Sequence, residues 1–464
     1  MRFSYKVQPA PDGLAQAFLL GAAVAAGDFS SLPIHNPAVE CASRKRIRAI
    51  QLEKLVAQVR WTYERVPWYR ARMDDSGVTP SDIKTLEDVR MLPFTDKSVL
   101  RDTFPYGLFA VPLDEVVELH SSSGTTGKPI VVGYNESDMA MWADCIMRLV
   151  QMAGVVPGDR AQMAFGYGMF TGGFGLHYGL QKLGCMMIPA GSGNTERHIA
   201  MIEDYGTTVL VATPSYALHV CEVGEKMGYD WAKSPLRVGL FGGEPCPPGL
   251  KAEIEDRMHI VCTDNYGLTE VMGPGVSGEC LASRDMQHLA EDHFLWEVVD
   301  PETGDPVPDG EMGELVLTPL GKQAIPVLRY RTHDLTRVVT EPCACGRTTA
   351  RMQKVRARSD DMLIIRGTNV FPSQVEDVLA GIDGVTPHYR IVVESAGGLD
   401  RMTVHVELKP EAFSDSYEDM ENLRRSIEDK LKGVLLVGVK AKLVEPGGIE
   451  RSTGKTKHVE DLRK

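Results

Sequence analysis

From about residue 116 the chain alternates two textures, and this alternation constrains its fold more than any other feature. Short apolar runs, among them Val116-Val117, Ile130-Val131-Val132, Val209-Leu210-Val211 and Arg237-Val238-Gly239-Leu240-Phe241, are separated by segments with helical spacing. The runs predict buried strands and the segments between them predict covering helices, so the expected class is α/β. Between 294 and 340 the pattern turns β-rich. Glu297-Val298-Val299-Asp300 leads into the turn composition Pro301-Glu302-Thr303-Gly304-Asp305, and Glu314-Leu315-Val316-Leu317 follows. Upstream, Ile47, Ile50, Leu52, Leu55, Val59 and Tyr63 recur near helical spacing, and Pro67 is expected to end that helix. Past the polar linker Arg358-Ser359-Asp360-Asp361 come a strand (362–366), a helix from about Ser373 and further β/α alternation. The expected architecture is a large multi-layer α/β N-terminal domain with a β-rich portion, residues 1–358, and a small α+β C-terminal domain, residues 359–464.

A chain of 464 residues exceeds one ordinary core, which agrees with that division. The net charge of −13 argues against a uniformly basic nucleic-acid surface. No apolar run reaches the length of a membrane span. Arg2 and Lys6 precede an apolar stretch from Leu14 to Ala26 that ends near Ala23-Val24-Ala25, a weak secretory pattern. Gln16 and Gly21 interrupt it, and an N-terminal helix packed on the body is the expectation. Nine scattered cysteines, an odd number, suggest reduced thiols and a cytoplasmic setting.

Ser121-Ser122-Ser123-Gly124-Thr125-Thr126-Gly127-Lys128-Pro129 follows an apparent strand. Its glycines let backbone N–H groups turn toward an anion, its hydroxyls add donors and Lys128 adds charge. This suits a loop that cradles a polyphosphate. It is not a Walker A loop, which has four residues between its glycines and a Ser or Thr after the Lys. Other segments carry chemistry of their own. Phe241-Gly242-Gly243-Glu244-Pro245 follows a strand, and its glycines would let a flat ring lie on bare backbone, although a simple tight turn reads equally well. Phe165-Gly166-Tyr167-Gly168-Met169-Phe170-Thr171-Gly172-Gly173 misses the dinucleotide fingerprint by one residue. Its rings suit a flat apolar pocket, or ordinary core packing. Cys343-Ala344-Cys345-Gly346 reads as a metal knuckle, and Cys280 and His288 across the β-rich stretch complete a Cys3His set for structural zinc. Two free thiols on a turn are the alternative.

The hydroxyl-rich loop resembles the signature of the adenylate-forming superfamily. Tyr63-Glu64-Arg65-Val66-Pro67-Trp68-Tyr69-Arg70 and Gly367-Thr368-Asn369-Val370-Phe371-Pro372-Ser373-Gln374-Val375-Glu376 are similar to segments of phenylacetate–CoA ligases. The likeness runs from about residue 50 to the C-terminus. It implies that ATP is held by Ser122, Ser123, Gly124, Thr125, Thr126, Gly127 and Lys128, and that Gly243, Glu244 and Pro245 belong to the adenine pocket. Asp264-Asn265-Tyr266-Gly267-Leu268-Thr269-Glu270 resembles the family's Y-G-x-[ST]-E element. There Tyr266 would face the base, Thr269 would donate to the α-phosphate, and Glu270 would bind Mg2+. Arg329-Tyr330-Arg331-Thr332-His333-Asp334 resembles the R-Y-R-T-x-D element, with Asp334 on the ribose and Arg358 reaching the same nucleotide. His333 stands where relatives often carry Gly or Arg. In the basic loop 451–457, Lys455 matches the catalytic lysine, with Lys457 close by, and Asp360 matches the hinge about which the C-terminal domain rotates. The acyl pocket would be walled by Tyr167, Phe170 and Gly172, with Ala212, Thr213 and Pro214 on the far side.

The function implied is an ATP-dependent aryl-acid CoA ligase of aromatic-acid catabolism. It would act through an acyl-adenylate and then a thioester, with ATP, Mg2+ and coenzyme A as cofactors and a small carboxylic acid as substrate. The alternative on the same scaffold is an adenylyltransferase of the coenzyme F390 synthetase type, which needs no coenzyme A. A non-catalytic binding protein is disfavoured by the intact Thr269, Glu270, Asp334 and Lys455. The family often forms homodimers, and no nucleic acid or membrane partner is expected.

Overall fold

The computed structural model describes residues 32–121, 129–355, 357–359, 363–366, 368–396, 399–413, 416–450 and 458–463. The N-terminal stretch to Ala26, the loop Ser122 to Lys128, Asp360, Lys455 and Lys457 lie outside the described residues.

The α/β expectation holds. Among the described residues a nine-stranded sheet runs in the order β13-β14-β9-β8-β7-β6-β5-β3-β4. Its parallel half is β3 (Arg160–Met163), β4 (Met186–Ile188), β5 (Val209–Ala212), β6 (Val238–Phe241) and β7 (Val261–Leu268). Every residue of β5 and β6 is buried, as expected of strands covered on both faces. From β7 onward the pairing turns antiparallel through β8 (Gly273–Cys280), β9 (Ser283–Leu289), β14 (Arg351–Gln353) and β13 (Val338–Val339). The short hairpin β1 (Glu118–Ser121) and β2 (Val131–Tyr134) flanks the hydroxyl-rich loop. The meander expected between 294 and 340 is β10 (Phe294–Val299), β11 (Gly313–Pro319) and β12 (Tyr330–Thr336), closed by β15 (Ala357–Arg358).

The periodic segment after residue 43 is the helix Arg44–Arg65. Ser43 accepts a hydrogen bond from the Arg46 N–H at its start, and Ile47, Leu55 and Val59 face the core. The helix stops at Arg65 with Val66 as its cap, so Pro67 ends it as expected. Pro67 also opens a second helix, Pro67–Asp75, as its first residue, a position where its missing N–H costs nothing.

Residues 363–441 supply a separate apolar cluster containing Ile365, Val375, Ile391, Val404 and Leu431. It lies under β18 (Val385–Ala396), β19 (Leu399–Leu408), β20 (Val439–Val444) and β21 (Val459–Asp461), preceded by the hairpin β16 (Leu363–Ile365) and β17 (Thr368–Val370). No helix among the described residues is long and apolar enough to cross a membrane.

Two helices beside the central sheet, Glu136–Met152 and Thr171–Leu183, approach closely because small residues line their contact. A Cβ on Gly175 would lie 2.3 Å from Trp142 Cζ2, and one on Gly179 would lie 2.2 Å from Ile146 Cβ. The second helix begins at the end of Phe165–Gly173, so this contact sets where that segment sits. Gly179→Leu should therefore destabilise the larger part by about 1–3 kcal/mol or more. Urea unfolding followed by tryptophan fluorescence should show a lower midpoint, and an unchanged midpoint would contradict the packing.

Candidate active site

The candidate residues gather at the carboxyl ends of the parallel strands, where open α/β sheets place their ligands. β3 runs out toward Phe165–Gly173, β5 into Ala212-Thr213-Pro214, β6 into Gly242-Gly243-Glu244-Pro245, and β7 carries Asp264 to Gly267. Gly243 has φ +83, and a Cβ there would stand 3.7 Å from Phe165 Cε1 and 3.8 Å from Thr213 Cγ2. Three of the segments thus meet at one glycine. Asn265 Nδ2 donates to the Phe241 carbonyl at 2.5 Å, which ties β7 to the β6 turn. Glu244 accepts from the Ser215 N–H at 2.8 Å and so caps the helix Pro214–Lys226 that Thr213 begins.

Tyr266, Asp334 and Arg358, far apart in sequence, form one corner. Tyr266 Oη donates to Asp334 Oδ2 at 2.5 Å, and Arg358 Nη1 donates to Asp334 Oδ1 at 2.9 Å. The pairing of β12 with β15 sets Asp334 directly opposite Arg358. Burial first, and then the Asp334 charge, hold the Tyr266 phenol well above its ordinary pKa, so it stays a donor. His333 has φ +62, a left-handed conformation that glycine adopts without strain. Its Nδ1 lies 3.3 Å from Ser359 Oγ, so it braces the linker.

Thr269 and Glu270 occupy the turn between β7 and β8. Thr171 Oγ1 lies 3.0 Å from Thr269 Oγ1, and Lys97 Nζ lies 3.3 Å from Glu270 Oε1. Sequence reading singled out neither Thr171 nor Lys97, nor Phe165 as an individual residue. The signal present was thin: Thr171 and Phe165 fall inside the aromatic segment, and Lys97 follows a helix-capping Asp96.

Tyr167 is half-buried, packs edge-on against Phe174 at 5.2 Å between centroids, and bonds through Oη to His177 Nδ1 at 2.9 Å. Burial pushes its phenol up to about 12. Phe170 is 55% exposed, so it stands at the rim rather than in a wall buried by protein. Among the described residues, no atom comes within 4 Å of a Cβ placed on Gly172. Ala212 and Pro214 are buried.

Asp264 and Pro245 border a cavity of about 250 Å³, which Ser373, Glu376 and Asp377 line from the C-terminal side. Beneath it Glu279 accepts from Lys251 at 2.6 Å and from the Asp264 N–H at 2.7 Å, while Lys354 lies 2.5 Å away. Burial pushes the Asp264 carboxyl up to about 7, with Lys354 opposing that shift and Glu279 adding to it.

The four expected zinc ligands come together. One ligand atom each from Cys280, His288, Cys343 and Cys345 lies within 4.8 Å of every other, and all four residues are buried. Cys280 Sγ to Cys343 Sγ is 3.7 Å and Cys345 Sγ to His288 Nε2 is 3.5 Å. Tetrahedral zinc with Zn–S of about 2.3 Å would space its sulfurs about 3.8 Å apart, so the residues fit that ion. Thr349 Oγ1 lies 2.9 Å from His288 Nδ1, leaving Nε2 to face the sulfurs. The Cys345 thiol is drawn below its ordinary range, first by the hydrogen bond from Cys280 and then by that from Cys343.

The chain is similar to known proteins over most of its length. The model of the AMP-binding enzyme family matches residues 71–320, and that of the AMP-binding enzyme C-terminal domain matches 367–463. The chain is 46% identical to the phenylacetate-coenzyme A ligase of Aromatoleum evansii, over 93% of this chain and 99% of that protein. It is 44% identical to the ligase of the same description from Thermus thermophilus, over 93% of this chain and 100% of that one. Among solved structures, a 2-hydroxyisobutyryl-CoA ligase in the postadenylation state, in complex with 2-HIB-AMP, matches with a TM-score of 0.86 at 28% identity, over 92% of each chain. The fold and site define an AMP-forming acid–CoA ligase. The chain belongs to the phenylacetate-coenzyme A ligase family of AMP-binding enzymes.

The raised Asp264 carboxyl has a consequence for stability. Its folded pKa of about 7 lies above the ordinary carboxylate value of 3.8, so the folded chain binds more protons between those values. Stability from this group is therefore lost as pH rises toward 7. Asp264→Asn removes that loss, and its Tm relative to wild type should climb between pH 5 and pH 8. A pH-independent difference would contradict the assignment.

Proposed function

We propose that this chain activates an aryl acid of the phenylacetate type with ATP and transfers the acyl group to coenzyme A. The convergence of Tyr266, Thr269, Glu270, Asp334 and Arg358 at the strand ends, beside the Tyr167 segment, carries this reading. In the first step a carboxylate oxygen attacks the α-phosphorus, and the α,β-bridging bond breaks with its electron pair leaving on pyrophosphate. In the second step the thiol sulfur attacks the acyl carbon and AMP departs. Asp334 accepts from the ribose hydroxyls, Tyr266 and Arg358 orient it, and Thr269 donates to the α-phosphate. Gly243, Glu244, Pro245, Asp264 and Asn265 frame the base, while the loop Ser122 to Lys128 takes the phosphates. The Glu270 carboxylate, an oxygen ligand beside Lys97, suits Mg2+, which when bound would offset phosphate charge. Tyr167, Phe170, Gly172, Ala212, Thr213 and Pro214 receive the acyl group.

Residues 1–358 form the adenylating domain and 359–464 a second domain that turns about Asp360 and brings Lys455 to the first step. The same 2-hydroxyisobutyryl-CoA ligase supports this reading. It matches with a TM-score of 0.86 in its postadenylation state and 0.69 in its thioesterification state with CoA. The free cysteines fit the cytoplasm. Zinc at Cys280, His288, Cys343 and Cys345 is structural, since four protein ligands leave no open position.

Purified protein supplied with ATP, Mg2+, phenylacetate and coenzyme A should form thioester and AMP in equal amounts. AMP transfer to a hydroxyl acceptor without coenzyme A would favour the adenylyltransferase reading. Lys455→Ala should lose about 3–4 kcal/mol of transition-state stabilisation in adenylation. It should leave thioester formation from preformed acyl-adenylate near wild type, and equal loss in both steps would overturn the assignment. Metal analysis should find about one zinc per chain, and less than about 0.2 would end the zinc proposal.

A further inference from the structure

Lys97 lies outside every motif that marks the nucleotide site, yet it sits against the residue proposed to hold magnesium. Its ammonium is 3.3 Å from Glu270 Oε1, with the lysine side chain 41% exposed and the glutamate side chain 11% exposed. The carboxylate of this pair is largely buried, so Lys97 supplies the charge that faces it. The backbone beneath Lys97 is fixed from several sides.

Thr95, fully buried, pairs with β12: its N–H donates to the Arg329 carbonyl at 3.1 Å, and its carbonyl accepts from the Arg331 N–H at 2.8 Å. Its hydroxyl donates to the Leu328 carbonyl at 2.7 Å and lies 2.5 Å from Tyr69 Oη. Asp96 then caps the helix Lys97–Asp102 through the Ser98 and Val99 N–H groups at 2.8 and 3.1 Å. The strand so engaged, β12, is the one that carries Asp334. Lys97 is thus placed on the same frame as the ribose acceptor, with its charged end directed at Glu270.

We infer that Lys97 is a catalytic residue that binds the β- and γ-phosphates of ATP and stabilises pyrophosphate as it leaves. The inference rests on the proposed roles of Glu270 and of the ATP site. Without nucleotide, Glu270 neutralises the ammonium. Were Glu270 to hold magnesium as proposed, Lys97 would lose this partner and its ammonium would turn to the phosphate oxygens. Charge accumulates on the bridging oxygen as the α,β bond breaks, and a cation fixed near it lowers that barrier. Lys97 belongs to the β12 frame, whereas Lys455 is proposed to travel with the C-terminal domain. Lys97 therefore serves adenylation and has no phosphate to hold during thioester formation, when pyrophosphate has gone.

The test separates the two half-reactions. Lys97→Ala should slow acid-dependent exchange of labelled pyrophosphate into ATP by about 10- to 100-fold. It should also weaken product inhibition by pyrophosphate. Thioester formation from preformed acyl-adenylate should stay within about twofold of wild type, and Lys97→Arg should restore part of the exchange. Equal loss in both half-reactions, or exchange and pyrophosphate inhibition unchanged, would overturn the proposal. Glu270→Gln, assayed across magnesium concentrations, distinguishes the underlying reading. Unchanged magnesium dependence there would remove the role of Glu270, while Lys97→Ala still reports on phosphate contact by itself.

Discussion

The site depends on a single close approach of backbone. At Gly267 and Gly273 the chain turns from the last parallel strand into the first antiparallel one, and a Cβ on Gly267 would lie 1.9 Å from the Gly273 carbonyl oxygen. Only a residue without a side chain fits. A Cβ on Gly273 would in turn strike the Trp142 ring at 2.5 Å. Trp142 Nε1 donates to the Pro274 carbonyl at 2.9 Å, and Tyr134 Oη donates to the Met272 carbonyl. Tyr134 and Trp142 stack at 4.8 Å, so two aromatic donors clamp the turn that presents Thr269 and Glu270. Were the strands to separate here, Tyr266 would lose its reach to Asp334, and Thr269 its contact with Thr171.

The same seam explains why one sheet serves both halves of the reading. On its parallel side the strand ends deliver Phe165, Ala212 and Gly243. On its antiparallel side, β8 and β9 lead to Cys280 and His288, which meet Cys343 and Cys345 in one buried cluster. Arg347, fully buried, extends that cluster: it donates through Nε to Glu40 Oε2 at 2.6 Å and through Nη2 to the Pro33 carbonyl at 2.8 Å. The Cys3His cluster and the beginning of the described chain are therefore packed as one unit.

The sequence made the motifs legible because each is local. A glycine pair after a strand, a Y-G-x-[ST]-E run and a C-x-C turn are short patterns whose physical reason lies within the pattern itself. The Cys3His set was legible too, since cysteine and histidine in zinc spacing have few other uses. Lys97 and Thr171 were not, because each earns its place through a contact across the fold: Lys97 with Glu270, and Thr171 with Thr269. Pro67 was legible as the end of the first helix, which stops at Arg65, whereas its second part as the opening of the next helix was not, because that depends on packing. The left-handed backbone of His333 could not be anticipated from a histidine.

A mixed anhydride between the acid and AMP is the central intermediate, and isotope transfer tests it most directly. Phenylacetate labelled with ¹⁸O in both carboxylate oxygens should deliver one labelled oxygen to the phosphate of AMP and keep the other in the thioester. That follows because the attacking oxygen stays on phosphorus when sulfur displaces it from the acyl carbon. Label in inorganic phosphate or pyrophosphate, or no label in AMP while thioester forms, would contradict the acyl-adenylate route.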